Sequence, residues 1–126
     1  HLAIPAGDLS TATKFYVDVL GCKLGNREED KWIDVDFWGN ELTLHKTEMK
    51  LPNERHDVDM GKVPVPHFGV HLDPSVFNKI KENIKKNNIQ YLDEPHRCVR
   101  PQGSGRYRPH SASTAALART PARVWN

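Results

Sequence analysis

Two histidines occupy matching places in the two halves of this chain. His1-Leu2-Ala3-Ile4 leads to Asp8 and a periodic apolar run, and His67-Phe68-Gly69-Val70 leads to Asp73 and a second such run. A strand that begins with His, feeds a helix and recurs once per half-chain marks a duplicated module. Such a duplication can set two imidazoles face to face, as a metal site requires. Residues two apart on a strand share a face. Glu41, Thr43 and His45 therefore form one set, and His67, Gly69 and His71 another. If the modules pack with these faces inward, His1, one of Glu41 or His45, and His67 converge. Neutral imidazoles with a carboxylate or a third imidazole suit Zn, Fe(II), Mn, Ni or Co. Three protein ligands with one open position is the catalytic arrangement, because water or substrate must reach the metal. The competing reading of any single strand histidine is a structural hydrogen-bonding residue. His56, His96 and His110 fall in loops and read as surface residues. Motifs for a nucleophile or a phosphate cradle are absent, and no residue is assigned as catalytic.

The elements that would hold these side chains are legible in outline. His1 to Pro5 reads as a short strand. Asp8 is an N-cap, and Leu9, Ala12, Phe15, Tyr16, Val19 and Leu20 fall on one helical face ending at Gly21. Cys22 to Leu24 follows as a second strand. Trp32 to Trp38 alternates with β-formers, Gly39-Asn40 supplies a turn, and Glu41 to Lys46 completes a hairpin. Trp32, Phe37 and Trp38 read as core or pocket wall. Thr47 to Lys62 is charged and without period, hence a long loop. The second module starts near Pro64, with a strand over His67–Leu72. Asp73-Pro74 opens its helix, whose buried stripe is Phe77, Ile80 and Ile84. Lys79, Lys81, Lys85 and Lys86 form the solvated side, so nucleic acid is not expected as a partner. Asn87-Asn88 ends that helix, and Ile89 to Leu92 is another short strand.

At 126 residues, 37% hydrophobic and 27% charged, the chain fits one domain with a real core. It holds no apolar run near the roughly 18 residues that span a bilayer. The two cysteines, Cys22 and Cys98, sit in no paired motif. With no secretory signal visible, they are expected to be reduced thiols in a cytoplasmic protein. The net charge of +2 conceals a split. Residues 1–96 carry ten Lys and two Arg against sixteen acids, whereas 97–126 carry six Arg, no Lys and no acid. That basic tail has no hydrophobic period. A disordered terminus, a nucleic-acid-binding tail, and non-native sequence from a shifted reading frame or altered splicing all remain open, the last favoured by the switch from Lys to Arg.

The order His1-Leu2-Ala3-Ile4, Asp8-Leu9, Phe15-Tyr16, Val19-Leu20-Gly21-Cys22, Asp36-Phe37-Trp38-Gly39, a strand ending in His45, and then Pro66-His67-Phe68-Gly69-Val70 resembles the vicinal oxygen chelate superfamily of glyoxalases, bleomycin-resistance proteins and extradiol dioxygenases. The resemblance covers about residues 1–96 and points to a small glyoxalase-like member. It implies an α+β fold of paired βαβββ modules, curled as a mixed sheet around a cavity, with the first module over 1–46. It also implies a divalent metal on the first and last strands of each module. His1 takes the first-strand place and His67 the fifth-strand place. His45 is narrowly preferred to Glu41 on the fourth strand, although Glu41-Leu42-Thr43 matches the Glu-Leu-Thr of glyoxalase I. The family's closing Glu motif has no counterpart, since no acid follows Glu94. The second module is therefore expected to lack its C-terminal hairpin, and the metal its last anionic ligand, which would leave this chain inactive. What the resemblance implies is metal-dependent lyase, isomerase or dioxygenase chemistry on a small oxygen-bearing substrate, with homodimers common. The alternative is a metal-free protein that sequesters a small molecule.

Overall fold

A computed structural model describes residues 1–49, 55–58, 61–64 and 67–91. The chain divides into two compact units, His1–His67 and Phe68–Asn126.

The first unit holds the whole βαβββ module. Strand β1 (Leu2–Gly7) leads to helix α1 (Leu9–Thr13), followed by strands β2 (Lys23–Glu28), β3 (Trp32–Phe37) and β4 (Asn40–Lys46). The sheet order is β1-β4-β3-β2, with β1 parallel to β4 and the remaining pairs antiparallel. Because the β1–α1–β2 connection carries the chain to the far edge, the hairpin β3–β4 fills the centre. Asp8 caps α1 by accepting from the Thr11 backbone N–H and hydroxyl, both at 2.7 Å. These bonds, the hydroxyl's first, hold the Asp8 carboxyl below its ordinary range.

The expected long helix runs as α1 and then widens into π-helical turns over Lys14–Val19. Leu20 N–H reaches back to the Phe15 carbonyl, five residues away. Gly21 ends the helix at φ +84°, a left-handed conformation glycine adopts without penalty. α1 packs on β1, β3 and β4. Ala12, Phe15, Tyr16, Val19 and Cys22 supply one side of the core, and Val35, Leu42 and Leu44 the other. Tyr16 meets Phe37 edge-on at 6.3 Å, so Phe37 belongs to this apolar side. Cys22 is a free, buried thiol, as expected; Cys98 lies outside the described residues.

Several expectations need correction. β2 is longer than Cys22–Leu24 and starts one residue later. The β3–β4 turn consists of Trp38-Gly39, not Gly39-Asn40, because Phe37 pairs with Asn40. Both central residues have positive φ, 49° and 85°. That combination matches the twist of the flanking strands in a two-residue hairpin. The Asp36 carboxylate secures the turn by accepting from Gly39 N–H at 2.6 Å.

The region read as a loop contains a hairpin of β5 (Arg55–Val58) and β6 (Gly61–Pro64). Arg55, His56 and Asp57 are exposed, so this stretch of β5 shows no alternation of buried and exposed residues. His56 is thus a strand residue, though a surface one.

In the second unit, α2 (Pro74–Lys86) buries Phe77, Ile80 and Ile84 as expected. Asp73 occupies its N-cap without a side-chain bond. Asn88, at φ 54°, closes its C-terminus, with Asn88 N–H on Lys85 and Ile89 N–H on Ile84. Residues 67–73 and 89–91 form no strand, contrary to expectation. A strand exists only through its ladder, and among the described residues no strand pairs with either segment. Leu92 and the whole segment 97–126 lie outside the described residues.

Candidate functional site

Strand alternation divides β1, β3 and β4 into an apolar face under α1 and a polar face. Ala3 pairs with Thr43 and Pro5 with His45, while Asp34 pairs with Thr43, Asp36 with Glu41 and Trp32 with His45. The polar face therefore carries, side by side, His1 and Glu41, then Asp34 and Thr43, then Trp32 and His45.

The parallel register that sets Leu2 against Leu42 brings residue 1 to residue 41. His1 Nδ1–H donates to Glu41 Oε1 at 2.5 Å, a contact between side chains 59% and 57% exposed. A short bond of this kind between an imidazole and a carboxylate is charge-assisted when the ring is protonated. His45 lies on the same face but four residues further along β4. At about 3.3 Å per residue that puts its Cα about 13 Å from that of Glu41. Of the two fourth-strand candidates, Glu41 is the one His1 reaches; His45 sits between Pro5 and Trp32 and is exposed. His67 and His71 are exposed and outside any strand.

An imidazole nitrogen facing a carboxylate oxygen fits two positions of a divalent-metal site. No group of three His, Cys, Asp or Glu side chains converges on one point among the described residues. The fit is that of a half-site.

Next to Glu41 an open hollow of about 350 Å³ is lined by Gly25, Asp34, Asp36 and Glu41, among others. Asp34 is 9% exposed and accepts from Thr43 Oγ1 at 2.6 Å through Oδ1. β2 bulges between Leu24 and Arg27, and Gly25 lies against Asp34, where a Cβ would stand 3.1 Å from the Asp34 Cβ. Sequence reasoning passed over Asp34 and Asp36. The signal was present, since Trp32-Ile33-Asp34-Val35-Asp36 alternates and sends both acids to the face opposite the core. Trp32 is half-buried, and its indole N–H donates to Glu28 Oε2 at 3.2 Å.

The fold and face together define a βαβββ-module protein with an imidazole–carboxylate pair on the open side of a mixed sheet. Residues 1–105 match the Glyoxalase/Bleomycin resistance protein/Dioxygenase superfamily, and the chain belongs to it. Among solved structures it is similar to a glyoxalase/bleomycin resistance protein/dioxygenase from Alicyclobacillus acidocaldarius. The two are 36% identical, with a TM-score of 0.57 over 82% of this chain and 72% of that one. A lactoylglutathione lyase from Agrobacterium tumefaciens shares the fold at 23% identity and TM-score 0.53, over 76% of this chain and 73% of that one. No curated protein matches the chain. No described helix is long and apolar enough to cross a membrane.

Proposed function

We propose that this chain is a glyoxalase-like domain that acts on a small oxygen-bearing substrate with the help of a divalent metal. His1 and Glu41 would hold the metal, and His67 would supply a third donor. The observation that carries this reading is the His1–Glu41 contact across the β1–β4 pair. In this reading Glu41 takes the fourth-strand place in preference to His45, which is supported by the register that sets residue 41 beside residue 1. When bound, the metal supplies Lewis acidity to substrate oxygens. The chain's own residues do the rest. His1 fixes the Glu41 carboxylate in one orientation through Nδ1. The second Glu41 oxygen has no hydrogen-bond partner among the described residues, which leaves it free to take or return a substrate proton. The lactoylglutathione lyase relative and the superfamily's name favour lyase or isomerase chemistry, with dioxygenase chemistry second.

Weak metal affinity and low activity are part of the proposal, because among the described residues only His1 and Glu41 come together and no third donor joins them. The test is titration of the purified full chain with Zn, Ni, Mn and Fe(II), followed by metal analysis. One equivalent per chain, lost in His67→Ala with the fold retained, is the expected result. A chain that takes up none of these ions, yet binds small molecules, would transfer the reading to metal-free sequestration.

A further inference from the structure

One aromatic residue stands apart from the others. Phe15 meets Tyr16 edge-on, Tyr16 meets Phe37 and Phe37 meets Trp38, a run that starts in the core. Among the described residues Trp32 joins none of these pairs. Strand alternation sends it instead to the polar face, where it is half-buried, although an indole gains most from full burial among apolar side chains. Its one polar atom is already used. The indole N–H donates to Glu28 Oε2 at 3.2 Å, and Lys31 Nζ holds the other oxygen of that carboxylate. The ring is thereby fixed in orientation without help from a ligand, and what it has left to offer is π surface.

Register places this ring in a row. Pro5 pairs with His45 and His45 with Trp32, so pyrrolidine, imidazole and indole stand side by side across β1, β4 and β3. At about 4.8 Å between strands the row spans about 10 Å. The next row along, Ala3, Thr43 and Asp34, is made of short side chains, and Thr43 and Asp34 bond each other. Beyond it stand His1 and Glu41. The face thus carries rings at one end and the imidazole–carboxylate pair at the other, with a low strip between them, and the two ends lie about 13 Å apart along β4.

We propose that Trp32 is a specificity-determining residue whose indole, flanked by His45, takes the flat aromatic end of a substrate whose oxygen-bearing end lies at His1 and Glu41. An aromatic ring can stack on the indole or stand edge-on to it, whereas a strongly polar end would give up hydration against the rings without return. The separation sets the length, because a short molecule reaches one end of the face but not both. The inference names the substrate class of the proposed function and rests on that reading. The ring row itself needs no metal.

The experiment titrates the full chain, with and without Zn, with hexanohydroxamic acid and 6-phenylhexanohydroxamic acid, which share a two-oxygen head and differ by a terminal ring. Calorimetry gives the affinities, and the Trp32 indole N–H resonance, assigned by its loss in Trp32→Phe, reports the arrival of the ring. The phenyl compound is expected to bind about tenfold tighter than the unsubstituted acid and to shift that resonance. Its advantage should largely survive in Trp32→Phe, which keeps an aromatic ring, and vanish in Trp32→Leu. If Trp32→Leu does not fold, the two compounds compared on the parent chain, with the resonance, decide the matter. Equal affinities, an unmoved Trp32 resonance, or an advantage retained in a folded Trp32→Leu would overturn the proposal. Failure of the metal reading shows itself differently, as affinities that ignore Zn while the phenyl advantage and the Trp32 shift persist.

Discussion

The two halves of the sequence, from His1 and from His67, begin alike and end differently. His1 and His67 each precede an apolar pair, an aspartate and a helix, and His1 stands beside a strand of a finished sheet. β4 lies alongside β1 and delivers Glu41 to it, whereas residues 67–73 lie on no ladder among the described residues. The lesson is that a ligand-type residue at a strand's start acquires its chemistry from the partner strand. The partner comes from the end of the module, about forty residues later in the first case. In the second module the corresponding stretch falls where the sequence loses its acids and its hydrophobic period.

The comparison is broken most forcefully by removing what holds the finished sheet. Leu44 is fully buried between β1, β3 and α1. Leu44→Ala is expected to cost about 2–5 kcal/mol through lost burial and a cavity. Chemical denaturation measures the loss, and amide exchange should show the β4 ladder opening while the bonds that close α2 stay protected. A cost below about 1 kcal/mol would mean that the β4 core is not the support assigned to it.

A smaller effect separates the two helix starts. Asp8 makes side-chain capping bonds and Asp73 does not. Asp8→Ala should destabilise by about 1 kcal/mol, and Asp73→Ala by clearly less. The depressed Asp8 carboxyl contributes stability above its ordinary value of 3.8, and that contribution disappears as pH falls below it. Acid unfolding of Asp8→Ala should accordingly show a shallower pH dependence than the parent chain.

The smallest effect concerns Cys22. Burial first, and then the Asp36 charge, raise its thiol to about 11. A raised acid favours its protonated form in the folded chain, so stability should decline as pH climbs from the ordinary 9.0 toward 11. At pH 8 the folded chain should resist iodoacetamide at Cys22, and unfolding should expose the thiol. Rapid labelling of Cys22 in the folded chain would contradict its placement in the core.

Much of this was readable in the residues. The alternation of Trp32 to Phe37, the Asp8 cap, the Gly21 stop and the Phe77, Ile80, Ile84 stripe each follow from a local rule, and each appears in place. The β5–β6 hairpin was not readable because Arg55, His56 and Asp57 are polar and exposed on successive positions and leave no period of two. The left-handed Trp38 was hidden because turn chemistry favours Gly and Asn there, and the following pair fitted better. Which of Glu41 and His45 stands beside His1 was beyond pattern reading for a different reason. A period of two assigns faces but does not fix which residue of β4 stands beside residue 1. Only the register, with Leu2 against Leu42, supplies that.

The central claim is that the His1–Glu41 pair is the metal-holding half of the site. Calorimetric titration of the full chain with Zn or Ni, compared between Glu41→Gln and His45→Ala, tests it directly. The account predicts at least about a tenfold loss of affinity in Glu41→Gln, and an affinity for His45→Ala within about twofold of the parent, well under 1 kcal/mol. Loss in His45→Ala with affinity kept in Glu41→Gln would contradict it.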